Sequence, residues 1–225
     1  DFLNSSFYLK DKKDPDLIHF VIKRDLPIDK KIIIMSATIP IEIYEKLYPG
    51  RIEVIDIGDV KQMGSVIQFT KRSCSRNSLN RYSSLISNEV DEKPVITFKA
   101  FSSQFKNPVK DMYFGNCSGY DSLKGKDIAV VGTPHRNNIE SFLTAVVLGI
   151  EFKTTQTTMS FQKIEYNGFK FKFNCFDNED LRMVQLSLIQ SDLIQAVGRA
   201  RTLRTNAKVD LYSNFPLRIS DEFIF

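Results

Sequence analysis

Ile32-Ile33-Ile34-Met35 and Ile128-Ala129-Val130-Val131 are continuous apolar runs of strand length. Hydrophobicity without polar alternation suits a strand covered on both faces. From about Asn138 to Leu148, after the second run, Ile139, Phe142, Leu143 and Val146 fall at helical spacing. Working outward, Leu17, Ile18, Phe20 and Val21 predict a short helix over residues 16–24. Pro40 opens another helix, with Ile43, Tyr44 and Leu47 on its buried side and Pro49-Gly50 ending it. Residues 51–57 read as a strand, as do Ser65–Phe69, Pro94–Phe98 and Met112–Phe114, and a helix carries Leu79, Tyr82, Leu85 and Ile86. Val209–Tyr212 reads as the closing strand, stopped by Asn214-Phe215-Pro216. Strands that alternate with helices predict an α/β fold on a parallel sheet.

One stretch leaves this alternation. Ile164 to Phe173 is period-two on both sides of Asn167-Gly168, the signature of a hairpin, so an inserted β-hairpin is expected at about 160–175. Its lysines alternate with phenylalanines. Such a pattern either stacks bases and touches phosphates, or simply gives one packed face and one wet face.

The chain has 225 residues, eighteen phenylalanines and a net charge of +4. At this size roughly 70% of the unfolded surface is buried, and the charge permits a polyanionic partner without demanding one. No apolar run approaches the ~20 residues of a membrane span, so the reading is a soluble, cytoplasmic protein with no membrane partner. Cys74, Cys117 and Cys175 lack any Cys-x-x-Cys spacing and His19 and His135 are isolated, which predicts reduced thiols and no metal site. A start at Asp1, with no basic-then-apolar leader, reads as a piece of a longer polypeptide.

Near the end stands Gln195-Ala196-Val197-Gly198-Arg199-Ala200-Arg201, then Thr202, Leu203 and Arg204. Leu181, Val184, Leu188, Ile189 and Ile194 before it predict that a helix carries it. Guanidinium groups match phosphate oxygens in charge and planar geometry, and Gln195, one turn before Arg199, shares its face. Upstream, the first apolar run ends in Ser36-Ala37-Thr38, at the carboxyl edge where α/β sheets bind ligands. Lys99 and Ser102 follow the strand Pro94–Phe98. In the segment Phe114–Asp121, Gly119 lets backbone approach a ligand and Asp121 can accept from ribose hydroxyls. Thr133-Pro134-His135 ends the strand after it.

Taken in chain order, these segments resemble motifs III, IV, V and VI of superfamily 2 helicases, nucleic-acid motors built from paired RecA-like domains. The resemblance implies a RecA-like sheet flanked by helices, with residues 1–58 as the C-terminal part of a first domain and 59–225 as the second. It implies a catalytic role for Arg199, as a finger on the γ-phosphate, and for Arg201. Gly119, Asp121, Gln195 and Gly198 would contact nucleotide; Ser36, Ala37 and Thr38 would couple the nucleotide site to domain movement. Lys99, Ser102 and Thr133 would face single-stranded DNA or RNA. The family pattern Gln-x-x-Gly-Arg-x-x-Arg is met at Gln195, Gly198 and Arg199, but Thr202 stands where its second arginine belongs, flanked by Arg201 and Arg204.

Such a motor also needs a Gly-Lys-Ser/Thr loop for phosphates and an acidic pair for magnesium. Neither occurs here. ATP and Mg2+ are therefore expected in a full-length parent, held by a missing N-terminal RecA-like domain of the same polypeptide, and this segment alone is expected to hydrolyse nothing. Three other readings stay open. One is a translocase part of a nuclease or restriction system. Another is a catalytically silent nucleic-acid-binding scaffold. The third is a Rossmann-type transferase or dehydrogenase, which would want a Gly-x-Gly-x-x-Gly run that is absent.

Overall fold

A computed structural model describes residues 2–11, 14–35, 41–55 and 60–225. In chain order its elements are β1 (Phe7–Lys10), β2 (Ile18–Val21), α1 (Ile41–Leu47), β3 (Ser65–Phe69), α2 (Arg76–Val90), β4 (Val95–Ile96), β5 (Ile128–Val131), α3 (Asn138–Val147), β6 (Met159–Tyr166), β7 (Phe169–Phe176), α4 (Glu179–Val197), β8 (Lys208–Tyr212) and β9 (Glu222–Ile224). They fall into two compact units. One comprises Asp1–Val54, Arg136–Gln162 and Asn174–Leu188; the other comprises Ile55–His135, Lys163–Phe173 and Ile189–Phe225.

The second unit carries a five-stranded sheet in the order β4-β5-β8-β3-β9, every pair parallel. The α/β expectation is met in this sheet and its helices. Both of its faces are covered, as continuous apolar strands require. Ala129, Val131, Val95 and Tyr212 pack on Leu79, Ile86 and Val90 of α2, while Ile128, Val130, Val209 and Leu211 on the opposite face are equally buried. Phe69 stacks on Tyr212, ring centroids 4.5 Å apart. The Ser75 side chain accepts from the Ser78 N–H at 3.3 Å to begin α2. Asp91, at φ +57°, returns its N–H to the Ser87 carbonyl to end it.

Val209–Tyr212 was expected to close the sheet, but β8 lies at its centre and β9 forms the edge. A strand of three residues beginning with Glu222 has too little period to be seen in sequence. Buried Gln68 sets its place instead. Its Nε2 donates to the carbonyls of Ser213 (2.9 Å) and Phe215 (2.7 Å), and its Oε1 accepts from the Leu217 N–H (3.1 Å) and the Ser220 hydroxyl (2.8 Å). With all four bonding positions used, the glutamine pins the connection from β8 to β9. Met112–Phe114, expected as a strand, is irregular chain leading into a turn at Phe114, and Phe114 packs against Phe98 at 5.0 Å.

In the first unit, β1 and β2 pair antiparallel, Phe7 opposite Val21 and Lys10 opposite Ile18. A helix was expected over 16–24. Half-exposure alternating along Ile18–Val21 is what a two-stranded ribbon yields, and the short apolar window did not separate the two periods. Residues 31–35 form no strand: Ile33 is 76% and Met35 90% exposed. Residues 52–55 likewise form none, and 56–57 lie outside the described residues. The unit's core gathers Ile43 of α1, Ala145 of α3, Leu148, Ile150, Phe176, and Leu181 and Val184 of α4. Asn178 caps α4 by accepting from the Leu181 N–H at 3.0 Å, and Glu179 and Asp180 complement the positive end of the helix.

The hairpin stands at β6 and β7, which form a separate two-stranded sheet. Asn167 (φ +53°) and Gly168 (φ +83°) make its turn, the two left-handed residues that a tight hairpin demands. Among the described residues no helix is long and apolar enough to cross a membrane.

Candidate functional site

The last turns of α4 present the arginine segment, and all of the following geometry lies within the second unit. Residues 114–127 run alongside α4 toward the start of β5. Ser118 Oγ lies 3.5 Å from Gln195 Oε1. One turn on, Arg199 donates from Nε to the Gln195 carbonyl (3.1 Å) and from Nη1 to the Tyr120 carbonyl (3.0 Å). Gly198–Ala200 tighten into a 3-10 turn, and Arg201 closes it in the left-handed region at φ +60°. That conformation turns its side chain to Asp121, Nη2 to Oδ1 2.7 Å, in an exposed ion pair. Gly119, at φ +81°, supplies the bend between Ser118 and Tyr120.

The chain therefore brings Gly119, Asp121, Gln195, Gly198, Arg199 and Arg201 to one place. The Arg201 hydrogen bond and then its charge hold the Asp121 carboxyl below the usual range, with Arg199 and Lys124 adding to the effect. Nη2 of Arg199 and Nε2 of Gln195 have no partner among the described residues, so both remain able to donate to a ligand. Cys117 beside them is no nucleophile: burial pushes its thiol up to about 11.

Thr202 explains the departure from the helicase pattern. It is buried, its hydroxyl bonds Gln62 Oε1 at 2.6 Å, and its carbonyl receives the N–H groups of Met63 (3.1 Å) and Gly64 (2.9 Å). At Gly64 a Cβ would fall 2.1 Å from the Ala207 carbonyl oxygen, so the entry to β3 is pressed against this turn. An arginine at 202 would bury an unpaired cation in that knot. Arg204 is exposed and its side chain makes no hydrogen bond or ion pair among the described residues.

These contacts put the arginine turn at the amino edge of the sheet, next to the starts of β3, β5 and β8. The Gly125 N–H reaches the Ala200 carbonyl (3.0 Å) and the Lys208 N–H reaches Asp127 (2.8 Å). Lys99, Ser102 and Thr133 lie at the opposite, carboxyl edge, after β4 and β5. Lys99 Nζ sits 5.5 Å from the Tyr113 ring centroid, and the Ser102 hydroxyl returns to the Lys99 carbonyl at 2.8 Å. Thr133 is buried, its hydroxyl engaged with the Ser73 carbonyl, Ser213 Oγ (2.7 Å) and Asn214 Oδ1 (3.2 Å). Ser36, Ala37 and Thr38 lie outside the described residues.

Sequence reasoning passed over Arg76, which opens α2 at that carboxyl edge. Its guanidinium lies 4.4 Å from the Phe98 ring centroid and donates to the His135 carbonyl at 2.7 Å. The signal lay in Ser75-Arg76, a capping serine followed by the first residue of the helix that carries Leu79 and Tyr82. Among the described residues no group of three or more His, Cys, Asp or Glu side chains could hold a metal ion. Compared with protein families, curated proteins and solved structures, the chain matches none.

Proposed function

We propose that this chain is the C-terminal motor domain of an ATP-dependent DNA or RNA helicase or translocase, with a RecA-like second unit that supplies an arginine finger. One observation carries the reading: segments far apart in sequence, Ser118–Asp121 and Gln195–Arg201, meet around a guanidinium with free donor capacity. Parallel sheets bind their own ligands outside their carboxyl ends. Arg199 lies at the other edge, which suits a group that acts on nucleotide held by a different domain.

The donor set fits a polyphosphate and does not fit its metal. Arg199 Nη2 and Gln195 Nε2 would face the phosphates, whereas no carboxylate cluster stands here for Mg2+. When bound, ATP with magnesium supplies the transferable phosphoryl group and the charge that Arg199 would offset. Ionised Asp121 keeps Arg201 turned toward it and offsets its charge, which leaves Arg199 to make the contact.

In the full-length parent, Arg199→Ala should leave ATP binding within a few-fold and lower nucleic-acid-stimulated turnover by about 10³ or more, since a finger acts on charge that develops in the transition state. Arg199→Lys should rescue little, because a point charge replaces a planar fork. Near-normal stimulated turnover in Arg199→Ala would sink the finger and favour a catalytically silent nucleic-acid-binding scaffold.

A further inference from the structure

From Lys163 to Phe173 the hairpin separates the two residue types that its sequence interleaves, while Phe161, nearer its base, is 78% exposed. Phe169 packs on Phe223 (5.3 Å between centroids), Phe171 on Phe215 (5.8 Å), and Phe173 on Phe215 and His135 (5.5 and 4.9 Å). These rings are occupied by the interior of the second unit and are not free to stack bases. Lys163, Glu165, Lys170 and Lys172 are left on the exposed face.

Register makes this face unusual. The two-residue turn pairs Tyr166 with Phe169, and the bond from the Asp177 N–H to the Thr158 carbonyl (3.0 Å) keeps the same register at the hairpin base. Counting between them, Glu165 opposes Lys170, in agreement with their 3.5 Å ion pair, and Lys163 opposes Lys172. The Thr158–Asp177 bond also assigns hydrogen bonding to the even-numbered residues of β6. Lys163 and Lys172 then meet at a non-hydrogen-bonded position, where opposed Cα atoms are only ~4.5 Å apart. Like charges so placed destabilise a sheet. No carboxylate bonds or pairs with either lysine among the described residues, and the one acid on the face is engaged by Lys170.

We propose that the exposed face of this hairpin docks the phosphate backbone of a single-stranded nucleic acid, with Lys163 and Lys172 as the paired contacts. The proposal rests on the nucleic-acid motor reading and adds a site remote from the arginine turn. Charge complementarity selects the ligand: an unneutralised lysine pair is relieved by a polyanion. Lys170 and Lys172, two residues apart on one face, repeat at about 6.8 Å, a step that a flexible single strand can follow. Contact through phosphate alone predicts binding that is indifferent to sequence and steep in salt.

The test uses the 225-residue chain with fluorescent single-stranded dT20, titrated at several salt concentrations. Lys163→Thr/Lys172→Thr removes both charges and keeps β-forming residues. It should weaken binding about tenfold near physiological salt and flatten the log–log salt slope by about 1.4, the value for two single-strand phosphate contacts. Urea unfolding should show the variant at least as stable as the parent chain, because the opposed charges are gone, and Lys163→Arg/Lys172→Arg should keep the slope. If the chain binds dT20 and the threonine variant binds it identically, the hairpin proposal falls and the motor reading stands. If the unaltered chain binds no dT20, both fall. Equal affinity for poly-glutamate would overturn the choice of nucleic acid in favour of an acidic protein partner.

Discussion

Ile128–Val131 and Ile32–Met35 are both four-residue apolar runs and have opposite fates. The first is β5, hydrogen-bonded to β4 on one side and β8 on the other, with all four residues fully buried. The second is irregular chain with Ile33 and Met35 open to solvent. An apolar run states a preference for a covered, paired environment; it does not contain the pairing. Strand neighbours and a helix layer come from elsewhere in the chain, and β5 has both. The difference teaches that burial in this protein is a property of the assembled sheet and not of the run.

The largest effect should come from an ionised group placed in the paired run. Val130→Asp puts a carboxylate at a site with no exposure and no apparent partner. The loss should be about 4 kcal/mol or more, enough to unfold the second unit outright. Circular dichroism and urea unfolding would register it. A folded variant with a native-like midpoint would mean that β5 is less enclosed than its neighbours indicate.

A smaller effect should follow from acid, at the end of the loop that leaves β5. His135 stacks on Phe173 and is pushed down to about 4, first by burial and then by the charge of Arg76. In the unfolded chain it titrates near 6.5. Between pH 6.5 and about 4 the unfolded state binds the extra proton, so stability is full above pH 6.5 and declines as pH falls through that window. The decline should reach about 3 kcal/mol. His135→Gln should remove this component, and unfolding free energies at pH 7 and pH 4.5 for both chains would measure it. An unchanged difference between the two pH values in the variant would assign the acid sensitivity to other groups.

How much was legible in the sequence follows the same division. β3, β4, β5, α2, α3 and the β6–β7 hairpin were readable because period, length and turn residues agree along each of them. β9 was not, since Gln68 and Asp221 position it through bonds to residues far away in sequence. In the candidate site, Gln195 and Arg199 could be paired from one helical turn. The approach of Tyr120 and Asp121 could not, because it depends on two segments about eighty residues apart descending side by side to the amino edge. Thr202 looked like a defect in a motif. In the structure it is a buried tie between the arginine turn and the entry to β3.

The smallest effect should be the most telling for the comparison. Ile33→Asp carries the kind of substitution made at Val130 into the unpaired run. With Ile33 76% exposed and hydrated already, a carboxylate there displaces little apolar contact and pays almost no desolvation. The midpoint of urea unfolding should stay within about 0.5 kcal/mol of the parent chain. Binding of a dye that reports exposed apolar surface should fall, since Ile33 and Met35 contribute to that surface. Repeating the substitution in a longer polypeptide sharpens the contrast. If an upstream domain supplies sheet neighbours to residues 31–36, as the helicase resemblance implies, Ile33→Asp should there become as damaging as Val130→Asp is in this chain. A neutral result in both contexts would mean that the run is surface chain in its own right. The assignment of residues 1–58 to the end of a first RecA-like domain would then lose its main support.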